Sequence, residues 1–148
     1  MPYLIDGNNL LGAGRDRRLG IPTDERELVR KVAAFAGKRR GLITIVFDGP
    51  PRSGARPTAP RIRVLYSQKR SADAVIVDAV RSSRAPRDII VVTSDRDLRS
   101  RVRAASGRVM GCRDFAAALA GADADADGDE KPSAEDVAMW ERYFAGED

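Results

Sequence analysis

Two short apolar runs constrain this chain more than anything else in it. Leu42–Phe47 (LITIVF) and Ile89–Thr93 (IIVVT) are nearly continuous in branched and aromatic residues, without polar alternation. Strands of that composition are covered on both faces, which happens in parallel sheets flanked by helices. Three further runs fit the same reading: Pro2–Asp6, Ile62–Tyr66 and Arg108–Cys112. Segments with helical signals lie between them. Thr23 is the expected N-cap of a helix to about Arg40, with Asp24, Glu25 and Glu27 at its positive end and Leu28, Val32, Phe35 and Ala36 on its apolar face. Ser71 is expected to cap a helix to about Ser83, Ser94-Asp95 to open one to about Ala105, and Asp114–Ala120 to form a last core helix. Gly7–Gly12 and the Pro- and Arg-rich stretch Arg52–Arg61 read as loops, the second mobile and basic. The expected order β-α-β-β-α-β-α-β-α makes one α/β domain around a doubly wound parallel sheet.

That domain should occupy residues 1–121. Residues 122–132, beginning ADADADGD, read as an acidic flexible linker. Residues 133–148 read as a short amphipathic helix, with Ser133 as cap and Val137, Trp140 and Phe144 on one stripe. Charge divides along the same line. Residues 122–148 hold ten acids against two bases, net −8, and residues 1–121 hold twenty-four bases against twelve acids, net +12. A body this basic suits a polyanionic partner, because each phosphate contact releases counterions. No apolar run spans a bilayer, and Met1–Asp6 reaches a charge too early for a signal peptide, so a cytoplasmic protein without membrane contact is expected. The single cysteine, Cys112, agrees with a reducing compartment.

The sequence contains no histidine. That removes catalytic triads, His-ligated zinc and an imidazole base together. Hydrolysis would have to come from carboxylates, lysines, hydroxyls or a hard cation. Ligands of open parallel sheets sit beyond the carboxyl ends of the strands. Asp6, Asp48 and Asp95 close three expected strands at that edge, Asp97 lies two residues past Asp95, and Asp73 falls in the first turn of the helix after the third strand. Asp95, Asp73 and Asp97 each have a capping or helix-dipole role available, and Asp48 precedes a Gly-Pro-Pro turn. Asp6 has no such alternative, since it follows an apolar strand without an obvious helix start. Their coincidence at one edge outweighs the separate structural roles, because gathered carboxylates repel unless a cation neutralises them. Three other phosphate chemistries fail on detail. Gly7–Gly12 has P-loop glycine spacing, but Ala13-Gly14 replace the Lys and Ser/Thr; no Gly-x-Gly-x-x-Gly follows a strand; and Asn8 stands where an aspartyl-phosphate enzyme needs its second Asp.

Tyr3-Leu4-Ile5-Asp6-Gly7-Asn8-Asn9, Ile45-Val46-Phe47-Asp48-Gly49, Ser71-Ala72-Asp73 and Val92-Thr93-Ser94-Asp95-Arg96-Asp97 together resemble the NYN domains of the PIN-like nuclease superfamily, most nearly the bacterial YacP-like branch. The resemblance covers roughly residues 2–120, and Lys131-Pro132-Ser133 with Trp140 and Phe144 resembles the tail of short members. It implies a sheet ordered 3-2-1-4-5, with Asp6 and Asp95 facing each other at the switch point. It also implies that Asp6, Asp73, Asp95 and Asp97 are the catalytic acids and hold Mg²⁺ or Mn²⁺. Asn8 matches the asparagine that orients substrate or the first aspartate, and Asp48 is an outer-sphere neighbour. One departure is the run from Asn9 through Leu10-Leu11-Gly12 into the basic Arg15–Arg18, where many members carry an isoleucine- or tryptophan-containing segment.

The expected activity is hydrolysis of RNA phosphodiesters by a metal-activated water. The expected substrate-binding residues are Asn8, Asn9, Ser94, Arg15, Arg61, Lys69 and Arg70. Two alternatives stand beside it: a non-catalytic RNA-binding module of the same fold, and a scaffold whose C-terminal helix recruits a protein. RNA is the expected partner, with a homodimer and a ribosome or RNA-processing contact as further options.

Overall fold

The apolar runs do become strands. The computed structural model describes residues 2–37, 41–51 and 61–124. Its strands are β1 (Tyr3–Asp6), β2 (Ile43–Phe47), β3 (Ile62–Tyr66), β4 (Ile90–Val92) and β5 (Arg108–Met110). All neighbours pair in parallel, in the order β3-β2-β1-β4-β5. The central position of β1, β2 and β4 explains their composition: all five residues of β2 are buried. Their side chains alternate between two cores. Ile5, Ile45, Phe47 and Val92 join one cluster with Leu28, Val32, Phe35 and Phe115, whereas Leu4, Val46 and Val91 join the other with Ile76, Val80, Leu98 and Val102.

The helices that supply those partners are α1 (Gly7–Ala13), α2 (Glu25–Ala36), α3 (Ala72–Ser82), α4 (Arg96–Ala104) and α5 (Cys112–Ala124). The apolar face expected of α2, Leu28, Val32, Phe35 and Ala36, is buried, and α1, α2 and α5 share one side of the sheet. α3 and α4 cover the other side. Ser71 caps α3 by accepting the Ala74 N–H (3.1 Å), and Asp95 caps α4 by accepting that of Leu98 (3.1 Å).

Several boundaries differ from the expectation. The cap position of α2 is Asp24 rather than Thr23, and its side chain makes no cap hydrogen bond. The helix ends at Ala36; residues 38–40 lie outside the described residues. Cys112 opens α5 instead of closing β5, and α5 continues to Ala124, past the boundary expected at residue 121. The loop 52–60, residues 125–132 of the expected linker and the expected helix 133–148 also lie outside the described residues.

The largest difference is that Gly7–Ala13 is a helix, not a loop. Asn8, Asn9 and two glycines are poor helix formers. Tertiary contacts override them: Leu10 is fully buried, and both asparagine side chains bond to neighbouring strand ends. Gly7 shows how close the approach is. A Cβ there would stand 2.5 Å from the Phe47 ring and 3.0 Å from the Val46 carbonyl oxygen. Phe47 is itself fully buried and has little room to move. Gly7→Ala is therefore expected to destabilise the protein by about 1–3 kcal/mol, read as a lower midpoint in urea or heat. An unchanged midpoint would contradict this packing.

Candidate active site

β1 ends at the switch point of the sheet, between β2 on one side and β4 on the other. Asp6 is its last residue and is 5% exposed. It also occupies the N-cap position of α1, so the reading that it starts no helix is corrected. Its side chain makes no cap hydrogen bond, although the Asn9 N–H lies near enough to stabilise its charge. The carboxylate instead accepts from the Thr93 hydroxyl (3.1 Å). Burial pushes the Asp6 carboxyl up to about 6, with the charges of Asp73 and Asp48 adding to the shift.

Asp73, in the first turn of α3, is raised in the same direction, by burial first and then by the charges of Asp95 and Asp48. Arg101 opposes the shift and Asp97 adds to it. Asp73 thus links the acids: Asp95, Asp48 and Asp97 press on it, and it in turn raises Asp6. Asp6 and Asp95 meet through Thr93, whose hydroxyl oxygen accepts the Asp95 N–H (3.1 Å) while donating to Asp6.

Asp48 follows the last residue of β2 and lies within electrostatic reach of Asp6 and Asp73. One of its oxygens accepts the Ala72 N–H at the start of α3 (2.7 Å), and its own N–H donates to the Asn8 side chain (2.8 Å). The next residue, Gly49, has φ +90°, a conformation open to glycine, and donates to the Ser67 hydroxyl (3.0 Å). Those bonds tie the ends of β2 and β3 to the start of α3, one residue before Asp73.

Asn8 and Asn9 divide between the two sides of β1. Asn8 holds the β2 side through Asp48. Asn9 holds the β4 side: its side-chain oxygen accepts from the Ser94 N–H (2.7 Å) and from the Cys112 thiol (3.1 Å). The Ser94 hydroxyl accepts the Cys112 N–H (3.0 Å), joining the start of α5 to the end of β4. Burial raises the thiol pKa, so Cys112 remains a protonated donor at neutral pH. These contacts show Asn8, Asn9 and Ser94 framing the carboxylates. Thr93 is the residue that sequence reasoning missed; it stood inside the Val92–Asp97 motif, but only the fold reveals its bridge.

The expected basic residues are distributed unevenly. Lys69 is exposed in the turn after β3, on the same edge as the acids. Arg70 beside it bonds to Asp78 and to the Ala74 carbonyl oxygen (3.4 Å). Arg15 is exposed just beyond α1. Arg61 precedes β3 and so lies at the amino edge, a strand length of about 17 Å from the acids. A cleft of about 260 Å³ beside β3, lined by Val64, Tyr66, Arg70 and Val75 among others, contains none of the aspartates.

A hard divalent cation suits this donor set, which is all carboxylate oxygen, and would relieve the repulsion that raises Asp6 and Asp73. Among the described residues, no three acids or thiols are already gathered as a group that could hold a metal ion. The acids are electrostatic neighbours that a cation would have to draw together.

The family model of the YacP-like NYN domain matches residues 3–142. The chain belongs to that family. Two solved structures share the fold. The crystal structure of Rae1 (YacP) from Bacillus subtilis is 19% identical, with a TM-score of 0.68, covering 84% of this chain and 76% of that one. A tryptophan-to-leucine variant of the same protein is 21% identical, with a TM-score of 0.64 and coverages of 83% and 77%. No curated protein matches significantly. The YacP-like NYN domain is a PIN-like ribonuclease fold, which gives the chain an RNA-related role. Among the described residues, no helix is long and apolar enough to cross a membrane.

Proposed function

We propose that this protein is a metal-dependent endoribonuclease whose site is the aspartate cluster at the carboxyl edge of β1 and β4. One observation carries the reading: Asp6 is 5% exposed at the end of β1, joined to Asp95 through Thr93, with Asp48 bonded to the start of α3 just before Asp73. Carboxylates gathered this way cost stability and are of no use to a pure RNA binder. Asp6, Asp73, Asp95 and Asp97 are the residues that would hold Mg²⁺ or Mn²⁺, and Asp48 would support them from the β2 side. When bound, the cation supplies Lewis-acid stabilisation of charge on the phosphate and lowers the pKa of water.

The remaining work belongs to the chain. Thr93 orients the Asp6 carboxylate and fixes the Asp95 amide, so the two acids keep a set relation. Asn8 and Asn9 hold the β2 and β4 ends against α1, and Ser94 adds β5 to that frame. Lys69 and Arg15 stand where they can attract the RNA backbone, and the +12 body draws the strand in.

A labelled RNA offered in single-stranded and structured form, with Mn²⁺, tests the proposal. Cleavage within the strand, stopped by EDTA and restored by excess Mn²⁺, is the expected result. RNA binding without metal-dependent cleavage would favour the non-catalytic module instead.

A further inference from the structure

α4 presents three flanks. Leu98 and Val102 are buried against the sheet, and Asp97 pairs with Arg101 (3.9 Å) on the side of Asp73. Arg99 projects from the opposite flank, toward β5. Its charge is felt by Cys112, the first residue of α5, and its own N–H donates to the Asp95 carbonyl oxygen (3.0 Å). The Arg99 Nε is shut off from solvent and has no hydrogen-bond partner. Four of the described arginines have acidic neighbours, Arg18 with Asp16, Arg30 with Glu27, Arg70 with Asp78 and Arg101 with Asp97, but what sets Arg99 apart is its buried, unbonded Nε. Among the described residues Arg99 makes no ion pair.

A desolvated, unpaired guanidinium nitrogen needs a reason, because burying a donor without an acceptor costs free energy. Its location supplies one. Arg96, at the first position of α4, and Arg113, at the second of α5, are exposed at the same carboxyl edge. A positive field therefore lies on the β4–β5 side of the aspartates, where a polyanion leaving the cluster would pass. We propose that Arg99 binds a backbone phosphate of the RNA strand and holds it on the β4–β5 side of the aspartates. The planar guanidinium offers paired N–H groups that match phosphate oxygens, and a side-chain rotation gives Nε the acceptor it lacks. This inference rests on the ribonuclease reading above and names a contact for its substrate.

Arg99→Gln and Arg99→Lys test it. Affinity for a labelled single-stranded RNA is measured by fluorescence anisotropy in EDTA, where no cleavage occurs, across a salt series. KM and kcat are then measured with Mn²⁺. Arg99→Gln is expected to weaken binding about tenfold, to reduce the salt slope by about 0.7, and to raise KM more than it lowers kcat. Arg99→Lys should recover part of the affinity. The melting temperature of Arg99→Gln should equal or exceed that of the wild type, because the Nε has no bond to lose. Unchanged affinity and slope in Arg99→Gln, or a lowered melting temperature that accounts for the weaker binding, would overturn the inference. A wild type that binds RNA without cleaving it, while Arg99→Gln still binds more weakly, would remove the nuclease reading and leave the phosphate contact standing. A wild type that does not bind RNA overturns both.

Discussion

Asp6→Asn is expected to lower RNA cleavage by about a thousandfold or more and, in EDTA at pH 8, to make the protein more stable than the wild type. Both effects come from one buried charge. Asp6 is 5% exposed and its carboxyl is raised to about 6, first by burial and then, over the opposing Thr93 bond, by Asp73 and Asp48. In the unfolded chain it returns to the ordinary value of 3.8. The folded state therefore binds more protons between those values, and stability falls as pH rises through them. A shift of this size amounts to about 3 kcal/mol above pH 6. Asparagine keeps the shape and removes the charge, so the metal-free variant should gain about 2–3 kcal/mol in denaturant at pH 8, and almost nothing at pH 4. Catalysis moves the other way, because Asp6 is the most buried of the proposed metal ligands. A variant that is less stable than wild type at pH 8 in EDTA would mean that the Thr93 bond outweighs the cost of burying the Asp6 charge among other acids.

The second large effect is a pH-dependent stabilisation by metal. Cation binding requires the ionised form of Asp6, so below about pH 6 the metal must displace a proton and its affinity falls. At pH 8, Mn²⁺ at 100 times its dissociation constant should stabilise the wild type by about 2.7 kcal/mol, which a thermal melt reads directly. At pH 5 about nine-tenths of Asp6 is protonated, so the same Mn²⁺ concentration should produce a shift about half as large, and cleavage should decline with it. Asp73 is raised in the same direction, which steepens the dependence. A Mn²⁺ shift of equal size at pH 5 and pH 8 would exclude Asp6 from the ligand set.

The sheet was legible because its physics is local. Strands covered on both faces must be apolar throughout, so ITIVF and the run around Val91 announced themselves, and the acids that close them fell on one edge once the strands were parallel. The caps of α3 and α4 were equally local, each made within three residues by Ser71 and Asp95. What escaped depends on contacts distant in sequence. α1 is built from poor helix formers and exists because Leu10 is buried and because Asn8 and Asn9 reach residues 40 and 85 positions away. Thr93 looked like the end of a strand, and its bridge between Asp6 and Asp95 needs the pairing of β1 with β4. The pairing of Arg70 with Asp78 could not be read from charge alone. Arg61 is different: as the residue before a parallel strand it had to stand at the edge away from the acids, which topology alone decides.

Asp95 has two separable functions, a cap and a charge. Its oxygen accepts the Leu98 N–H, and asparagine caps a helix as well as aspartate does. Asp95→Asn should therefore melt within a few degrees of the wild type while losing its share of the metal site. The decisive measurement is the rate of RNA cleavage in Mn²⁺ by wild type and Asp95→Asn, side by side with their melting temperatures. Wild-type cleavage that EDTA stops, and at least a hundredfold loss in the equally folded variant, is the expected result. Equal cleavage by the two proteins, or none by the wild type, would contradict it.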